Sequence, residues 1–144
     1  MAMKLVDEGS DKILSIAAVA TAKPTSFTLR LFTDSNTLDD ADTVASRTAA
    51  AGGGYADITL YPEGGSAPAG TISSPSGIPQ IAWAQQTFTF TGALTGNATI
   101  TGYMIFDSDG TLWVEELGTN FTPANNGDTY KVTPIIPLGN GTPA

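Results

Sequence analysis

Between residues 87 and 91 threonine and phenylalanine alternate without a break, TFTFT. A strict period of two belongs to a strand, whose successive side chains point to opposite faces, and no helix tolerates it. Phe88 and Phe90 are therefore read as core-facing, and Thr87, Thr89 and Thr91 as outward. TSFTLRLFT, residues 25–33, repeats the pattern, with Phe27, Leu29 and Leu31 on one side and Ser26, Thr28 and Arg30 on the other. Two such runs require a sheet with one covered face.

The longer stretch QQTFTFTGALTGNATITGYMIF, residues 85–106, reads as a hairpin, two strands joined by a turn at Gly96-Asn97. DSDG, Asp107 to Gly110, turns the chain into TLWVEEL, and DTYKVTPII, residues 128–136, supplies the last strand. Strand patterns recurring at roughly 10–20 residues predict an all-β chain, an antiparallel β-sandwich of jelly-roll-like form. The 144 residues match one domain, residues 1–144.

One helix is expected, over residues 10–22, with Ser10 as N-cap and a buried stripe of Leu14, Ala17 and Ala18 beside Ile13 and Ile16. Pro24 ends it, and its apolar run is too short to span a bilayer. Gly52, Gly53 and Gly54 mark a bulge, sharp bend or close backbone approach before a strand from Tyr55 to Tyr61, with Ile58 and Leu60 inward. Residues 62–79 are dense in Gly, Pro and Ser and read as loop, with a short strand at Thr71 to Ser73. So long a loop is a first candidate for touching a partner. Residues 135–144 read as an extended tail.

The chain contains no cysteine and no histidine, which removes thiolate chemistry, disulfides and the commonest zinc ligand. Six basic against fourteen acidic residues give −8, a field that repels nucleic acid and anionic membranes. Only 14% of residues are charged, against about 25% in an average soluble protein, which hints at surface covered by a partner.

Each candidate site has a plainer reading. DSDG lacks the later ligands of a calcium loop, so it is a turn. Asp39, Asp40 and Asp42 read as a solvated loop. Glu115 and Glu116 are neighbours on a strand and point apart, one toward solvent and the other toward Lys131 or Arg30. GGGYA lacks the lysine of a phosphate loop. Trp113 alternates with Leu112 and Val114 and is read as core, whereas Trp83, beside the Pro-bounded loop, is read as open. Neither a cofactor nor a metal is expected.

The order of motifs adds a resemblance. MKLVDEGSDKIL, FTLRLFT, GGGYADITL, QQTFTFTGALTGNATITGYMI, DGTLWVEEL and FTPANNGDTYKVTP run in series over Met3 to Pro134. This series resembles a family of small structural proteins of tailed bacteriophages and prophages, associated with capsid decoration, or cement. The resemblance implies a non-enzymatic virion protein on the head surface, made in the bacterial cytoplasm. Its implied partners are the major capsid protein and copies of itself, as a dimer or trimer. Partner contacts are expected at Trp83, Ile78, Tyr55 and Ile136. Two rivals follow from the residues: a tail or fibre receptor or carbohydrate-binding module using an exposed Trp83, and a glycan hydrolase drawing two carboxylates from Asp39, Asp40, Asp42, Asp57 and Glu115.

Overall fold

The computed structural model describes residues 3–19, 22–34 and 37–138. They form mostly antiparallel β-sheets with one helix. A five-stranded sheet has the order β1 (Met3–Leu5), β8 (Leu112–Phe121), β7 (Ile100–Asp107), β2 (Phe27–Phe32) and β3 (Ile58–Leu60). A three-stranded sheet follows the order β10 (Ile135–Pro137), β5 (Gln80–Ala82) and β4 (Thr71–Ser73), and β6 (Gln86–Thr89) pairs with β9 (Thr129–Val132).

Alternation decides which face is covered. Leu29, Ile105, Val114 and Leu5 lie in register across β2, β7, β8 and β1, and all are buried. Phe88 and Phe90 from the β6 segment, Tyr130 and Val132 from β9, Trp83 and Ile136 pack into the same cluster. Each large apolar side chain fully buried there contributes about 1.5–3 kcal/mol. On the sheet's other face Phe32, Met104 and Leu112 gather with Val6, and Leu38 and Val44 pack against them from the segment after β2.

The strand periodicity of β2 and β6 and the inward set Phe27, Leu29, Leu31, Phe88 and Phe90 are found as expected. β4 occupies Thr71–Ser73, and the Asp107–Gly110 turn joins β7 to β8, with Asp107 Oδ1 accepting from the Asp109 and Thr111 amides at 3.0 and 2.8 Å. The glycine run lies in the left-handed region, φ +81°, +56° and +72°. A Cβ on Gly53 would stand 2.5 Å from the Gly92 carbonyl oxygen, so the run is also a close approach of two backbones.

Residues 85–106 are not a hairpin. β6 pairs with β9, while β7 pairs with β2 and β8. The turn at Thr95–Asn97 is present, but the chain passes through it from one sheet to another, held by the Thr95 amide on the Ala51 carbonyl at 2.8 Å. Alternation specifies a strand and its buried face, and leaves the identity of its neighbour open.

The helix, α1, spans Asp7–Val19, and Ser10 is not its cap, because the Ser10 amide already donates to the Val6 carbonyl at 3.1 Å. Tertiary anchors start the helix early: the Val6 amide donates to the Trp113 carbonyl at 3.2 Å, and the Glu8 carboxylate accepts from the Leu112 amide at 2.9 Å. Its covered side holds Gly9, Ile13 and Ile16, whereas Leu14 is 64% exposed and Ala17 and Ala18 face out. Gly9 lets the helix lie on β8; a Cβ there would sit 2.9 Å from the Trp113 Cα. Among the described residues no helix is long and apolar enough to cross a membrane.

The final strand is split. Pro134 interrupts residues 128–136, separating β9 from β10, and its carbonyl accepts from the Trp83 amide at 3.0 Å. Residues 135–137 are thus a sheet strand and not an arm, and the Leu138 amide donates to the Pro79 carbonyl at 2.7 Å. The remainder of the expected tail, residues 139–144, lies outside the described residues.

Candidate functional site

Trp83 is not open. It is 3% exposed, its Nε1–H donates to the Tyr61 carbonyl at 2.7 Å, and its ring meets Phe27 edge-on at 5.6 Å. The hydrogen bond from its backbone amide to the Pro134 carbonyl fixes the backbone beside β10, and Gly70 leaves room for the indole, since a Cβ there would stand 3.0 Å from the ring. Ile136 is buried at 5% exposure. Both side chains are therefore core, and the sugar platform expected of Trp83 is not presented.

Tyr55 is half-buried. Its ring stacks on Phe88 at 5.7 Å, and its hydroxyl accepts from the Leu31 amide at 2.8 Å while donating to Asp57 at 2.7 Å. Burial raises its pKa and keeps the phenol protonated. Ile78 is half-buried in the loop before β5. Of the four expected contact residues, Ile136 alone lines the groove described next.

That groove, about 200 Å³, runs between α1 and the three-stranded sheet. Ile13, Ile72, Ile81, Trp113, Ile136 and Leu138 line it. Ile72 is 62% and Leu138 52% exposed at its margin, and Leu14 and Val19 stand exposed on α1. Scattered surface leucines are ordinary; here the exposed Ile72 and Leu138 border an apolar groove. The Trp113 Nε1–H is buried without an acceptor among the described residues. Residues 62–79, the first candidate for touching a partner, contribute Ile72 and Pro79 to this groove, whereas Leu14 reads from sequence as core and its exposure depends on the rotation of α1.

No protein-family model matches the chain, and no curated protein or solved structure matches it.

Half of the charged residues are engaged with one another in ion pairs. Glu115 is fully buried, and its partner is neither Lys131 nor Arg30 but Arg47, whose Nε and Nη2 donate to its two oxygens at 2.8 and 3.0 Å. Arg47 also donates to Asp42 at 2.5 Å and to the Thr37 carbonyl at 3.1 Å. Burial pushes Glu115 up to about 6, a rise that Arg47 opposes and Asp42 augments. Burial also works against ionised Asp42, yet its hydrogen bonds and Arg47 outweigh that and hold its carboxyl below the usual value.

The acidic loop is thus not freely solvated. Asp39 Oδ1 accepts from the Ala41 amide at 3.0 Å, Asp40 meets Lys4 at 3.3 Å and Asp42 is tied to Arg47. Arg30 pairs with Asp57 at 2.7 Å and lies over Phe106. Glu116 does take a separate direction from Glu115, accepting from the Tyr103 hydroxyl at 2.6 Å. Of the carboxylates considered for glycan hydrolysis, Glu115 is sealed in and ion-paired, and Asp42 and Asp57 are held by arginines. Among the described residues no three His, Cys, Asp or Glu side chains converge as a metal site.

Proposed function

We propose that this chain is a non-enzymatic structural protein of a tailed-phage virion, a decoration or cement protein that binds the outer head surface and bridges capsomers. The observation that carries the reading is the apolar groove between α1 and the three-stranded sheet, with Ile72 and Leu138 exposed at its margin. It joins the motif resemblance already described. An apolar strip on an acidic surface supports docking to a protein shell and disfavours packaged nucleic acid. On a shell with many copies, modest interfaces add through multivalency. The partners in this proposal are the major capsid protein and neighbouring copies of this chain.

The two smaller sheets contribute to a common core with the five-stranded sheet, which supports a sandwich; a jelly-roll winding of it belongs to the same proposal. The test is a mixture of purified protein with heads assembled without it, imaged by cryo-electron microscopy. Ordered density at fixed shell positions, with the α1–β4 side facing the shell, is the expected result. Bare heads at saturating protein would overturn the reading.

A further inference from the structure

We infer that a second surface, the cleft between β8 and β9, receives an extended polypeptide segment bearing an arginine, which adds as a strand to the open edge of β8 and places its guanidinium on Glu116. This inference does not rest on the virion reading. The cleft encloses about 530 Å³ and is lined by residues 118–121 of β8, residues 129–133, Tyr103 and Glu116.

Its two long walls are strand edges. β8 runs to Phe121, but its outer neighbour β1 pairs only with Val114, Glu115 and Glu116, so residues 117–121 have no strand on that side, and of their carbonyls that of Thr119 accepts from the Tyr130 hydroxyl at 3.2 Å. β9 pairs with β6 alone, leaving its other side without a strand. At about 3.3 Å per residue, the free part of β8 offers roughly 15 Å of edge, enough for a segment of about five residues. An unpaired edge with polar rims is the geometry of strand addition, in which main-chain hydrogen bonds give affinity and side-chain sites give selectivity.

Charge selects the occupant. Glu116 lines the cleft and accepts from the Tyr103 hydroxyl at 2.6 Å, and no cation lies within ion-pair distance of it among the described residues. Lys131 lines the same cleft but is exposed and makes no such pair. Phe121, half-buried and lining the cleft, supplies aromatic surface, with the largely buried Tyr130 ring packed against it at 5.8 Å between centroids. A planar guanidinium meets both demands, pairing with a carboxylate in bidentate fashion and stacking on aromatic faces. In a chain of net charge −8, long-range attraction also favours a basic segment.

The experiment is a binding titration of the whole protein with an acetylated, amidated heptapeptide of alternating threonine and valine with arginine at its centre. Three control peptides carry norleucine at the centre, glutamate at the centre, or N-methyl groups on alternate amides. The arginine peptide is expected to saturate below about 1 mM. Norleucine and N-methylation should each weaken it by about tenfold or more, and glutamate should abolish binding. Glu116→Gln, with its fold checked by thermal melting, should bind the arginine and norleucine peptides equally. No saturation by about 1 mM overturns the inference. So does equal binding of the N-methylated peptide, which denies strand addition, or equal binding of the arginine and glutamate peptides, which denies the role of Glu116.

Discussion

At the scale of single residues, the interior charge of Arg47 is the feature with the largest energetic leverage. Its guanidinium is 1% exposed and bridges Glu115 to Asp42. Removing one member of such a set strands the others without water, at about 3–5 kcal/mol. Arg47→Met is therefore expected to lower the free energy of urea unfolding by about that amount. Glu115 also makes stability depend on pH. Its folded pKa, about 6, lies above the ordinary carboxyl value of 4.5, so the folded state binds this proton more tightly than the unfolded chain. Its contribution is complete below 4.5 and lost as pH rises through 6. Asp42 and Asp128 act oppositely, because their folded values are depressed below 3.8 and their contribution vanishes as pH falls through that range. Urea midpoints should consequently rise from pH 7 to about 4.5 and fall below pH 4, and Glu115→Gln should remove the rise while leaving the acid-side fall. Trp83 behaves as a core residue, so Trp83→Ala should destabilise by about 3–5 kcal/mol.

At the scale of elements, glycine governs how α1 meets the sheet. Alanine is the better helix former by about 1 kcal/mol, and propensity alone predicts that Gly9→Ala stabilises α1. The structure predicts the reverse, since the new methyl would stand 2.9 Å from the Trp113 Cα, a backbone atom that cannot rotate away. Thermal melting should show a net loss of about 1–3 kcal/mol; a raised melting temperature would show that α1 shifts freely on β8. The same elements show how far periodicity carries a reading. For β2 and β6, the strand and its buried face follow from alternation alone. The start of α1 does not, because Val6 and Glu8 are anchored by Trp113 and Leu112, more than a hundred positions away. The pairing of β6 with β9 is equally remote from sequence, joining Phe88 to Tyr130.

At the scale of the whole molecule, the exposed apolar margin separates stability from association. Ile72→Asp lies on an exposed edge strand and should leave the melting temperature within a few degrees, because exposed substitutions usually stay within about 0.5 kcal/mol. It should nevertheless abolish head binding in a sedimentation assay if the groove is the docking surface; undiminished binding would move the interface elsewhere. The glycine-run bend, the Asp107–Gly110 turn, strand β4 and the inward faces of β2 and β6 were legible in sequence, since each rests on φ preference or on a period of two, both local properties. What covers each element was not. The burial of Trp83 and Ile136, the exposure of Leu14 and the Arg47–Glu115 pair arise from contacts between distant segments. Sequence alone determined that this chain is built of half-buried strands without thiol or imidazole chemistry. The tertiary structure decided which strands are neighbours, which apolar side chains remain outside and which carboxylates are sealed within, because those outcomes depend on packing across the sheets and no local propensity encodes them.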